Sequence, residues 1–137
     1  MTWFRRIEVL QPPFDNGLDA SGRAQVAFNI ATIKRPSGTF LEEIVKVLTD
    51  ASVGVYGTTI FDTSKAILPE GGDTPFLSIV ATPGSPPEHT QNSTTLPAYE
   101  QPSAQITARA TDYTDARTLA RAAYDALAPI RNVDISP

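Results

Sequence analysis

Cysteine is absent from this chain, and histidine occurs once, at His89. Without cysteine there are no disulfides and no thiolate metal sites. With a single histidine, a transition-metal cluster has almost no ligands to draw on. Basic charge is also short. Eleven Lys and Arg face fifteen Asp and Glu, for a formal net charge of −4. Nucleic-acid affinity comes mainly from Lys and Arg neutralising phosphates, so the composition lacks that footprint. Arg5-Arg6 and Lys34-Arg35 are the only adjacent basic pairs, and each reads as a solvated face. Long apolar runs are missing too. None approaches the ~20 residues of a spanning helix, and no membrane partner is expected. In MTWFRRIEVLQPPF, Arg5 and Arg6 interrupt the apolar residues, so no signal peptide is read. A soluble chain, not exported by the usual route, is expected. Asn92-Ser93-Thr94 fits a glycosylation sequon, which has no consequence without a secretory signal.

Enzyme signatures are equally scarce. There is no G-x-S-x-G elbow and no phosphate-binding G-x-x-x-x-G-K-[ST] loop. Asp15, Gly17 and Asp19 have the spacing of a calcium loop's start. The twelfth position is Val26, however, where a bidentate Glu is required. The carboxylate pairs Glu42-Glu43 and Asp112/Asp115 sit at predicted helix starts, where capping and the helix dipole explain them. No catalytic residue, cofactor site or metal site is assigned.

What is present is a pattern of strands and two helices. Arg6–Leu10 alternates and stops at Pro12-Pro13. Phe14–Gly22 is dense in turn formers and reads as a loop. Ala24, Val26, Phe28 and Ile30 then share one strand face. Thr39-Phe40-Leu41-Glu42 has the capping-box pattern, followed by Phe40, Ile44, Val47, Leu48 and Ala51 at helical spacing, with Gly54 as the stop. Short strands follow at Thr58–Phe61 and Phe76–Val80, and a turn at Pro69–Asp73. Thr82–Pro97 is polar and rich in proline, and reads as a long loop. Ala104, Ile106, Ala108 and Ala110 alternate. Asp112 caps a second helix whose stripe is Ala116, Leu119, Ala120, Ala123 and Leu127, and Pro129 ends it. Val133 and Ile135 suggest a last strand.

In this order, the elements from Thr39 to Asn132 resemble the tail terminator (tail completion or minor tail) proteins of long-tailed phages and gene transfer agents. The resemblance rests on TFLEEIVKVLTDASVG, TTIFDT, a strand running into TPGSPPEHT, LPAYEQPSAQITARA, and DYTDARTLARAAYDAL ending in APIRN. It implies helices packed on a small sheet and a homo-hexameric ring at the end of the tail tube. The implied partners are other copies of the chain, the tail tube protein and the head-completion or connector protein. DNA would only pass through the channel, and an acidic ring suits that passage. The implied place is the virion tail or neck, with synthesis in the host cytoplasm, and no catalysis is implied. A neck, connector or minor capsid component on the same core is the alternative, and a strand-addition binding module a further one.

The expected fold class is therefore α+β. A small mixed, mostly antiparallel β-sheet carries two main helices, with an N-terminal β-hairpin-like extension. One domain is expected over residues 1–137. Its extension is 1–38 and its core 39–137, with a mobile loop at 83–97. The extension either adds to a neighbour's sheet edge or completes the chain's own. Candidate interface residues are Glu88, His89 and Thr90 in the loop, and the polar groups Arg109, Arg117 and Arg121. Trp3 and Phe4 are candidates as well, with packing on the chain's own sheet as the competing reading.

Overall fold

Alternation in this chain resolves into one sheet with two unlike faces. The computed structural model describes residues 2–20, 22–35, 39–62, 74–88 and 99–135. The elements are β1 (Thr2–Val9), β2 (Phe14–Leu18), β3 (Ala24–Lys34), α1 (Phe40–Asp50), β4 (Ile60–Asp62), β5 (Phe76–Glu88), β6 (Tyr99–Ala110), α2 (Tyr113–Leu127) and β7 (Arg131–Ile135). The seven strands form one sheet in the order β4-β5-β6-β3-β1-β7, with β2 also paired to β3. All pairings are antiparallel except β4 with β5. This is the expected α+β class.

The N-terminal strands are not an appendage. β3 is the middle of the sheet: β6 lies along one of its edges, while β1 and β2 share the other, end to end. β7 is bonded to the sheet only through β1. Of the two readings of the N-terminal segment, the structure shows the one in which its strands β1, β2 and β3 complete the chain's own sheet. It also corrects the loop at Phe14–Gly22, since Phe14–Leu18 is strand β2. The turn residues there are absorbed by a register shift between Asp15 and Leu18.

One face of the sheet carries the core. Cross-strand pairs Ala24↔Ala110, Val26↔Ala108, Phe28↔Ile106 and Ile30↔Ala104 line it, and Leu77 and Ile79 extend it across β5. All are buried. The stripe of α2 lies on this surface, with Ala116, Ala120, Ala123 and Leu127 fully buried. Alanine on both sides lets helix and sheet approach closely. Tyr124 meets Phe28 edge-to-face at 6.0 Å. α1 adds Ile44, Val45 and Leu48.

Helix ends differ in how well the sequence announced them. Asp112 caps α2 as expected, accepting from the Asp115 amide at 2.9 Å. At α1 the Thr39 side chain makes no cap hydrogen bond. The α1 stop is not Gly54 either. Ser52 takes the left-handed conformation (φ 59°), Ser52 N–H donates to the Thr49 carbonyl and Val53 N–H to that of Leu48. This is a Schellman closure with serine at the left-handed position. Gly54 serves packing instead, because a Cβ there would stand 2.6 Å from Thr59 Oγ1.

The loop expected from Pro83 also starts later. β5 continues to Glu88, paired irregularly with β6, with register shifts on both sides of Ser85. Prolines are tolerated because the ladder is already broken there. Gly84 is required, since a Cβ would sit 2.1 Å from the Gln101 carbonyl oxygen. Residues 89–97 of the expected mobile loop lie outside the described residues, as does the turn at Pro69–Asp73.

Candidate assembly surface

The sheet's second face is covered by neither helix. Its residues are the alternates of the core positions: Gln25, Asn29, Ala31 and Ile33 on β3, with Ser103, Gln105 and Arg109 on β6. At the end of the sheet where β3 starts, this face is closed by the turn between β2 and β3. Asp19 accepts from Arg23 N at 2.8 Å and Arg23 Nε at 2.9 Å. Arg109 Nε lies 3.7 Å from the same carboxylate. Arg109 also donates to Gln25 Oε1 at 3.3 Å and Ser78 Oγ at 3.2 Å. Both guanidinium groups stack on Phe76, which packs edge-to-face on Phe61. Burial pushes the Arg109 pKa down, Asp19 opposes that and Arg23 adds to it. Arg109, a candidate interface arginine, is thus committed to holding the turn against the sheet.

At the opposite end the face is open. β1 pairs with β3 through Phe4↔Lys34 and Arg6↔Ile33, so Arg5 is an extra residue, a β-bulge. The bulge puts Arg5 and Arg6 on the same side, away from buried Phe4 and Ile7. Arg35 follows Lys34 on that side, and its amide donates to the Trp3 carbonyl at 2.9 Å. Arg5, Arg6 and Arg35 are exposed and Trp3 is half-buried beside them. Arg6 pairs with Glu8 at 3.2 Å. Next to this patch is a cleft of about 490 Å³ between β1 and the irregular part of β5, with Ala31, Ile33 and Ser103 among its lining. A second hollow, about 510 Å³, lies on the helix side between α1, the end of α2 and edge strand β7.

The two basic pairs, read separately as solvated, are therefore brought together by antiparallel pairing. Lys34 departs from that reading altogether. It is fully buried, its Nζ 3.2 Å from Glu43 Oε1 and 2.9 Å from the Arg35 carbonyl oxygen, above the Phe4 ring. Glu43 is likewise buried, so capping does not account for it.

The remaining candidates are dispersed. Phe4 is fully buried in the chain's own core, which removes it from any docking surface. Arg117 Nε donates to Asp15 Oδ1 at 3.0 Å, and Arg121 pairs with Asp125 at 3.2 Å along α2. The Arg117 hydrogen bonds hold the Asp15 carboxyl below its ordinary range, and the same bonds raise the Arg117 pKa. Glu88 closes β5, its backbone paired with Tyr99. His89 and Thr90 lie outside the described residues. Among the described residues no group of three or more His, Asp or Glu is placed to hold a metal ion.

The scaffold is α+β, with one helix-covered face and one open face carrying arginines and an aromatic. The chain belongs to the bacteriophage tail terminator family: the family model described as "Bacteriophage tail terminator protein" matches residues 47–136. No match was found among curated proteins or among solved structures. The family makes this a structural component of the phage tail and of the virion, and the family is not enzymatic. The matched residues leave out β1, β2 and β3, although β3 is the centre of the sheet.

Proposed function

We propose that the chain forms a homo-hexameric ring that ends the tail tube and joins the tail to the head connector. The observation that carries this reading is the family match over residues 47–136. The ring's partners are the tail tube protein below and a head-completion protein above. Each copy acts as one domain over residues 1–137. It is made in the host cytoplasm and enters the virion at the tail end. DNA passes through the lumen, and a net charge of −4 per copy disfavours phosphate adhesion there.

Tube length is the direct test. Tail tubes assembled without the protein should grow past their normal length and fail to join heads. Adding purified protein should stop growth and place a ring at the tube end in negative stain. Tubes of normal length that join heads in its absence overturn the proposal.

A further inference from the structure

We infer that Trp3, Arg5, Arg6 and Arg35 form a docking patch for a second copy of this chain, which seats its α2 N-terminal corner, Asp112 and Asp115, against it. The inference rests on the ring reading and names the surfaces that close the ring.

The carrying observation is where charge is left uncompensated. Most charged side chains of the described residues are paired within the chain: Arg6 with Glu8, Arg23 with Asp19, Lys34 with Glu43, Lys46 with Asp50, Arg117 with Asp15 and Arg121 with Asp125. Among the described residues, Arg5, Arg35 and Arg131 have no carboxylate within ion-pair distance, and all three are exposed; Arg131 stands opposite Arg6 and donates only to the Ile7 and Ile130 carbonyls. Asp112, which caps α2, and Asp115 in its first turn are favoured there by the helix N-terminus, but both are exposed and have no cationic side chain within that distance. Glu100 also has none, but it stands opposite Lys34, on the helix side of the sheet.

These unpaired groups lie at opposite ends of the molecule. Arg35 follows the last residue of β3, while α2 starts just after Ala110, which pairs with the first residue of β3. The eleven residues of β3 separate the two ends. At ~3.3 Å per residue that is roughly 35 Å, several times the ~8–10 Å over which exposed charges act at ordinary salt. Neither end neutralises the other within one copy. A head-to-tail contact between copies does so, and such heterologous contacts generate rings when the rotation between copies closes.

Charge balance favours a copy of this chain over DNA as the occupant. Setting aside Arg5, Arg6, Arg35 and Glu8, eight basic and fourteen acidic residues remain of the eleven and fifteen in the chain. The rest of each copy is therefore acidic and attracts the patch of another. Three arginines, one of them already paired, are few for a duplex whose binding scales with phosphates neutralised. Trp and Arg together are the residue types that dominate protein–protein contacts.

The test uses the purified full chain in native mass spectrometry and sedimentation, with circular dichroism to confirm folding. The wild type should form rings that dissociate as salt rises. R5E/R35E should remain folded and shift ring dissociation to protein concentrations at least on the order of tenfold higher. D112R/D115R should do the same. Mixing the two variants should yield assemblies in which each reversed patch meets its reversed partner, restoring association. If D112R misfolds through loss of its cap, D115R alone serves. Rings from R5E/R35E as stable as wild type overturn the patch and leave the ring reading standing. A wild type that stays monomeric both in solution and on tube ends overturns both. Variants that keep their rings but lose retention of duplex DNA show that the patch serves DNA, and overturn the inference.

Discussion

Two ion pairs link the two helices to the sheet, and they are physical opposites. Lys34–Glu43 joins β3 to α1 and is wholly shielded from water. Asp15–Arg117 joins β2 to α2 across 102 residues of sequence, with both partners about half-exposed. Taking two charges out of water carries a desolvation cost of several kcal/mol per ion, which mutual attraction only partly offsets. The buried pair is therefore weak evidence of net stabilisation and strong evidence of specificity. Only one placement of α1 on the sheet leaves neither charge alone. The exposed pair pays little to form and contributes little. What holds α2 is instead the alanine stripe against β3 and β6.

The largest effect tests the first half of this contrast. K34M or E43L alone strands a charge in the core and should cost about 3–5 kcal/mol in chemical denaturation. K34M/E43L together should recover most of that loss, since replacing a buried pair by apolar groups of similar volume is often neutral or stabilising. A double variant as unstable as either single one would show that the pair is worth its burial, and the contrast would fail.

The second test addresses α2. Ala120 is fully buried where the helix lies on the sheet. A120L should overpack that contact and cost about 1–3 kcal/mol in the same measurement. A neutral result would mean that α2 is held some other way, which would raise the importance of its exposed ion pair.

Much of the fold is legible in the sequence. Period-2 alternation placed the buried faces of β3 and β6, and Asp112 announced the start of α2. The stripe of α2 followed from 3.6-residue spacing. The buried pair was also legible in principle. Continuing the face of Ala24, Val26, Phe28 and Ile30 by two steps reaches Thr32 and Lys34. Glu43 falls among Phe40, Ile44 and Val47 on the buried side of α1. Reading Lys34 as solvated and Glu43 as a helix-start carboxylate hid both. The patch was hidden differently. Arg5 and Arg35 are neighbours only because β1 and β3 pair antiparallel, and Arg5 and Arg6 both face outward only because of a bulge. Neither register nor bulge is written in local composition. Gly54 misled for a related reason: it marks a close approach to Thr59 and Ile60, and not a helix stop.

The smallest effect concerns Asp15–Arg117, and its value is in its pH dependence. The Asp15 pKa is lowered in the folded state, chiefly by the Arg117 hydrogen bonds. Its contribution is therefore fully present above the carboxylate's unfolded pKa, and it is lost as pH falls through the lower folded value. Neutral and mildly acidic solutions should show no change. The acid limb alone should steepen in the wild type relative to D15N, and added salt should shrink the difference, because exposed pairs are screened. An NMR titration of the Asp15 carboxyl reads this directly. Its midpoint should lie below that of an ordinary aspartate and return to the ordinary range in R117M. A midpoint that R117M does not move would mean that the two groups are near each other without being coupled, and α2 would then rest on its alanines alone.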